Sequence, residues 1–174
     1  DCIELGVPFS DPLADGVMIQ SSSFHALGNG VTLESCIQVV GELRDQVPDT
    51  PLILMGYYNP FLSYGLSRFS QEAQRAGVDG VIVPDLPVDE SGPLVQACGP
   101  RDIHVVPLLA PTSTDSRIES ACLMASGFIY CVSLTGVTGA RSAIAPTVPP
   151  LLQRVRRYTD LPLAVGFGIS NREQ

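Results

Sequence analysis

The chain has 174 residues, 45% of them hydrophobic and 16% charged, which is enough for one domain with a sizeable core. Its net charge of -8 makes nucleic acid and anionic membrane surfaces poor partners. No apolar run approaches the ~18 residues of a membrane-spanning helix, and no charged segment followed by an apolar stretch marks a signal peptide.

The first element in chain order is a short strand at residues 2–5, Cys2-Ile3-Glu4-Leu5. The chain opens directly on it, without methionine, and ends at residues 170–174 on what reads as the start of a helix, so both ends look cut through a domain. Residues 8–30 form an extended loop with a short helix. Residues 33–47 carry Leu33, Cys36, Ile37, Val40, Leu43 and Val47, an apolar stripe of helical period, with Thr32 placed to cap it. Strands follow at 52–55, 80–83, 104–108, 128–132 and 163–165, apolar and rich in Val, Ile and Leu, as strands buried on both faces should be. Helices at 66–76, 89–98, 116–125 and 148–158 lie between them. Gly77, Gly99 and Gly127 follow three of these helix ends as stop signals.

Strand–helix alternation predicts a parallel α/β sheet, and most strands recur at about the length of a βα unit. The expected fold is a (β/α)8 TIM barrel, incomplete over residues 1–174. This single partial domain would hold strands 2–7 with their helices and lack the first and last βα units, since a whole barrel takes about 250 residues. A doubly wound open sheet is the competing architecture, and no GxGxxG follows the first strand to support it.

Five cysteines, Cys2, Cys36, Cys98, Cys122 and Cys131, are odd in number and show no CxxC spacing. That pattern speaks against a zinc site or a disulfide framework and for reduced, buried thiols in a cytoplasmic setting. All ten basic residues are arginine.

Glu4 is the first chemical candidate. Side chains alternate along a strand, so Cys2 and Glu4 share one face and Ile3 and Leu5 the other. With the apolar pair toward the helices, Glu4 points into the barrel near the C-terminal end of its strand, where barrel active sites are built. A buried carboxylate must be neutralised, paired or functional, so an ion pair to an arginine and a catalytic role both stand. The following loop, residues 6–16, carries Asp11 and Asp15 between two prolines. Asp11 reads as a turn residue, since Ser-Asp-Pro favours turns, whereas Asp15 fits either a turn or a second catalytic acid.

The run Ile3-Glu4-Leu5-Gly6-Val7-Pro8-Phe9-Ser10-Asp11-Pro12-Leu13-Ala14-Asp15-Gly16 closely resembles the signature of the tryptophan synthase alpha subunit family. Further matches follow in order: Tyr57-Tyr58-Asn59-Pro60, Val83-Pro84-Asp85-Leu86-Pro87, Gly136-Val137-Thr138-Gly139-Ala140-Arg141 and Gly166-Phe167-Gly168-Ile169-Ser170. One departure is Val17, where the family usually has proline. The resemblance implies a lyase of tryptophan biosynthesis that cleaves indole-3-glycerol phosphate, with Glu4 and Asp15 as the catalytic carboxylates. It implies that Tyr130, Thr138, Gly139, Phe167, Gly168, Met55, Ile82 and Ile19 bind substrate. Within that set the 136–139 loop is a lid, and Gly139 and Gly168 offer backbone amides to phosphate.

The resemblance also implies a beta-subunit partner in an alpha2beta2 heterotetramer, contacted through Asp11, Pro12 and Pro87. It implies no cofactor or metal in this chain, with pyridoxal phosphate in the beta partner, and a cytoplasmic location, or a plastid one in a plant. Other outcomes inside and near the family are a stand-alone indole-producing lyase, a non-catalytic activator of a beta subunit, another phosphate-binding barrel enzyme, or a fragment inactive by itself. The chain has no lysine for a Schiff base, and His25 and His104, its only histidines, are poor prospects for a metal site. The electron sink of the cleavage must then be the substrate's own protonated indole. Glu4 would shuttle the proton, and Asp15 would accept the indole N–H and offset charge on the ring.

Overall fold

The computed structural model of the chain describes residues 2–133 and 145–166. Among the described residues seven parallel strands are interleaved with seven helices. The first half runs β1 (Ile3–Gly6), α1 (Val17–Gly28), α2 (Leu33–Arg44), β2 (Leu52–Met55), α3 (Tyr58–Tyr64), α4 (Leu66–Ala76) and β3 (Gly80–Ile82). The second runs α5 (Gly92–Cys98), β4 (His104–Val106), β5 (Leu108–Leu109), α6 (Asp115–Met124), β6 (Ile129–Val132), α7 (Val148–Val155) and β7 (Leu163–Gly166).

The strands pair strictly in chain order, β1-β2-β3-β4 and β5-β6-β7, all parallel. The expected single strand at 104–108 is instead two, because Pro107 has no N–H to give to a ladder. Its carbonyl still accepts the Tyr130 N–H at 3.0 Å, so the two short strands carry one continuous arc across the break. Sequential order without a reversal is the arc of a barrel; a doubly wound sheet would reverse. The chain is therefore a partial TIM barrel.

Register puts Glu4 level with Ile53 and then Gly80 and His104, and Gly6 level with Met55, Ile82 and Val106. Laterally paired residues of a parallel sheet share a face, and two faces separate cleanly here. Ile53, Ile82, Val106 and Tyr130 form one buried cluster, with Met55, Leu108, Phe128 and Val132 against it, which is the barrel interior. Leu52, Leu54, Val81 and Val83 meet the helices through Val40, Phe69 and Leu94, and Leu5 packs with them. Ile129, Cys131 and Leu109 do the same against Ile118 and Leu151. Glu4 thus stands on the interior face and Leu5 on the helix face, as the alternation requires.

Local chemistry explains most element ends. Thr32 caps α2 by accepting the Ser35 N–H at 3.2 Å, while the Ser35 hydroxyl accepts the Thr32 N–H at 2.8 Å, a reciprocal capping box. Helix α4 runs over the expected residues and stops at Gly77 in the left-handed region, φ 85°. Gly99 is different: its φ is -54°, a 3-10 turn continues to Arg101, and the left-handed residue is Asp102 at φ 57°. The helix expected at 89–98 is a 3-10 turn, Val88–Glu90, followed by α5.

Two segments differ more. The stretch at 8–30 holds a 12-residue helix, α1, none of whose residues is buried. Val17, at the family's proline position, is its first residue and projects into solvent, 81% exposed. Helix α3 has no counterpart in the expectations, because Asn59-Pro60 reads as a turn. Proline is tolerated here in the first helical turn. Phe61 anchors the helix edge-on against Phe69 at 4.8 Å, and the Asp85 carboxylate accepts the Tyr58 N–H at 2.9 Å.

Candidate active site

Glu4 and the loop that follows β1 build the candidate site at the C-terminal ends of the strands. Glu4 remains accessible along β1, an edge strand among the described residues. Even so, partial burial in the interior pushes its carboxyl above the ordinary glutamate range. Among the described residues no arginine pairs with it. A carboxyl with a raised pKa and room around it holds its proton more readily than a free one and can still exchange it.

Across the interior, Tyr130 on β6 senses the same carboxylate. Burial pushes its hydroxyl up to about 12, and the charges of Glu4 and Cys2 add to the effect. Tyr130 is therefore a neutral phenol. Its ring lies over Gly166 at the end of β7, where a Cβ would fall 1.9 Å from the hydroxyl oxygen. Only glycine permits that approach. Met55 and Ile82 line the same interior, Ile82 fully buried.

The loop after β1 is closed by a tight turn. The Asp15 N–H meets the Pro12 carbonyl at 3.3 Å, and the Gln20 amide on α1 donates to the Asp15 carbonyl at 2.9 Å. The Ala14 N–H donates to the Tyr57 hydroxyl at 2.8 Å, and Tyr57 stacks on Phe9 with centroids 5.4 Å apart. Partial burial raises the Asp15 carboxyl above its ordinary value, and the influence of the nearby Tyr57 hydroxyl acts in the opposite direction. The hydroxyl of Tyr57 is itself pushed up to about 12, chiefly by burial.

The remaining candidates are spread more widely. Asp11 is exposed and accepts the Ser10 hydroxyl at 2.6 Å, a local turn bond in keeping with the turn reading. Pro12 is buried and Pro87 exposed. Ile19 lies on α1, 53% exposed and outside the interior cluster. Thr138, Gly139, Phe167 and Gly168 lie outside the described residues. His104 stands at the N-terminal end of β4, bonded through Nδ1 to Ser126 at 2.8 Å, in the lateral row that runs from Glu4 through Ile53 and Gly80. A cavity of 620 Å3 lined by Cys2, Ile53, Gly80, His104 and Phe128 opens at that same end, which in barrels serves stability. All five cysteines are free, and three are buried; Cys2 is exposed, against expectation, because it precedes an edge strand.

Residue patterns did not single out Tyr57, Gln20 or Asp85. Tyr57 sits in a Tyr-Tyr-Asn-Pro run that reads as a turn, and nothing in it announces which tyrosine faces the neighbouring loop. The one usable signal was position: Tyr57 lies two residues past the C-terminal end of a barrel strand.

The described residues thus form a parallel barrel arc that carries one carboxyl, Glu4, on its first strand and another, Asp15, on the loop that follows. Similarity narrows this further. All 174 residues match the family model described as tryptophan synthase alpha chain. The tryptophan synthase alpha chain of Roseiflexus castenholzii is 53% identical over 173 residues, 99% of this chain and 66% of that protein. A chain of the tryptophan synthase a2b2 complex from Pyrococcus furiosus superposes with TM-score 0.90 at 45% identity, over 99% of this chain and 69% of that one. The alpha subunit from Legionella pneumophila gives 0.87 at 35% identity, over 97% and 62%. The chain belongs to the tryptophan synthase alpha chain family, and it spans about two thirds of the length of these relatives.

Proposed function

We propose that the full-length protein is a carbon–carbon lyase that cleaves indole-3-glycerol phosphate to indole and glyceraldehyde 3-phosphate. The observation that carries this reading is Glu4: an interior carboxyl without an arginine partner among the described ion pairs, its pKa raised, beside a loop that holds Asp15. On this reading residues 1–174 are one partial barrel domain that lacks its first and last βα units. Family membership supports a place in tryptophan biosynthesis; the assignment of the two acids rests on the motif around them.

Glu4, protonated, delivers its proton to C3 of the indole ring and makes a cationic iminium. The resulting carboxylate takes the proton of the adjacent glycerol hydroxyl. Its O–H electrons form the aldehyde C=O, and the C–C bond electrons flow into the ring and neutralise the iminium nitrogen. Glu4 ends protonated again, so the step balances with no external acid, oxidant or metal. Asp15 accepts the indole N–H and offsets the positive charge while it exists. Tyr130, Met55 and Ile82 supply the neutral, apolar wall for the ring, and the resemblance adds Phe167 to it, whereas Ile19 stands exposed on α1. Thr138 closes over Asp15 as part of a lid, and Gly139 and Gly168 hold the phosphate.

The P. furiosus relative is an a2b2 complex. We read this chain likewise as the partner of a beta subunit that carries pyridoxal phosphate, with Asp11 and Pro87 exposed toward it and Pro12 beneath. The cytoplasm is the expected location. The test is direct: the full-length protein incubated with indole-3-glycerol phosphate should release indole and glyceraldehyde 3-phosphate in equal amounts. It should also co-elute with a tryptophan synthase beta subunit and turn over faster with it. Indole release that ignores the beta subunit identifies the stand-alone alternative, and no indole at all refutes the reading.

A further inference from the structure

Asp15 stands on a loop, and a loop carboxylate left to itself samples many positions. Its turn is held from two sides. Gln20 on α1 grips the backbone, donating to the carbonyls of Asp15 at 2.9 Å and Pro12 at 3.5 Å. Tyr57, just past the end of β2, reaches across to the same turn and accepts the Ala14 N–H at 2.8 Å, one residue before Asp15. We propose that Tyr57 is the positioning residue of Asp15: it ties the acid-bearing turn to the end of β2 and so fixes where the carboxylate stands.

The geometry gives Tyr57 the rigidity this task needs. Its side chain is 4% exposed, and its ring is stacked on Phe9 of the same loop. Its backbone directly precedes α3, whose first N–H is bonded by the Asp85 carboxylate from the loop after β3. Asp85 also acts on the Tyr57 hydroxyl by its charge. Three successive strand ends, those of β1, β2 and β3, are thus joined through Tyr57 and Tyr58 to the turn that bears Asp15. The hydroxyl accepts the Ala14 N–H, so the phenol cannot turn away without leaving that donor unserved. Asp15 and Asp85 are the charged groups acting on Tyr57. Because the Tyr57 hydroxyl favours ionised Asp15, removing it moves the titration of Asp15 to higher pH.

The inference rests on the reading of Asp15 as the carboxylate that faces the indole ring. Its test compares Tyr57→Phe with Gln20→Ala in the full-length protein. Phenylalanine keeps the Phe9 stack and removes only the hydroxyl, whereas Gln20→Ala loosens the turn without touching the carboxylate. Tyr57→Phe should lower kcat about tenfold, with KM changing far less. It should shift the acidic limb of the kcat profile upward and raise the pH at which a 13C-labelled Asp15 carboxyl titrates. Gln20→Ala should leave that titration where it is, whatever it does to melting temperature. An Asp15 titration unchanged by Tyr57→Phe, or moved equally by both variants, overturns the proposal. If the wild-type protein does not cleave indole-3-glycerol phosphate, the functional reading falls, and the carboxyl titration still decides the part played by Tyr57.

Discussion

Gly166→Ala is the sharpest steric probe of the site. A Cβ at this position falls 1.9 Å from the Tyr130 hydroxyl oxygen, 2.2 Å from Cζ and 2.5 Å from Cε1. Ordinary contacts need about 3.5 Å, so either the ring or the β7 backbone must retreat by more than about 1 Å. Neither moves freely: the Tyr130 N–H is bonded to Pro107, and β6 and β7 are paired over four residues. Overpacking of this kind costs about 1–3 kcal/mol. Urea denaturation of the full-length protein should register that loss, and kcat should fall with it, since Tyr130 shares the interior with Glu4. The double variant with Tyr130→Ala removes the clash, so the two changes together should cost less than the sum of their separate costs. A Gly166→Ala protein of wild-type stability and activity would mean that Tyr130 does not lie over Gly166, and the site geometry would be wrong.

Arg44→Met should cost about 2 kcal/mol in urea denaturation, because the guanidinium binds the carbonyls of Thr50 at 3.0 Å and Gly77 at 2.6 Å and pairs with Asp79. No loss would mark the network as a surface ornament. Asp15→Asn should reduce kcat by roughly 3 kcal/mol of transition-state stabilisation while an unreactive indole-propanol phosphate analogue still binds. A turn role for Asp15 predicts lost stability and retained kcat. Glu4 binds its proton more tightly folded than unfolded, so its contribution to stability diminishes as pH rises from about 4.3 through its raised folded value. Glu4→Gln should therefore melt progressively higher than wild type as pH increases toward neutrality; a gap independent of pH would contradict the raised pKa.

The fold was legible wherever one local rule acted alone. Alternation placed Glu4 inside and Leu5 outside, and Gly77 ended α4 because a left-handed residue was needed there. Rules in competition were harder to read. Pro107 interrupted a strand whose apolar pattern ran straight through it, and α3 formed from a turn-like sequence because Asp85 and Phe69 stabilise it from a distance. The acids could be named because a carboxylate on an interior face is conspicuous. Tyr57 could not, since its role depends on which residue of a neighbouring loop its hydroxyl meets, and that is set by the lateral register of β1 and β2.

The claim that most needs testing is that Glu4 moves the proton. Glu4→Gln in the full-length protein keeps the shape of the side chain and removes the exchangeable proton. Turnover of indole-3-glycerol phosphate should fall by about 10²–10⁴, the range of general acid–base catalysis, with substrate affinity little changed. A variant that retains more than about a tenth of kcat would contradict the account.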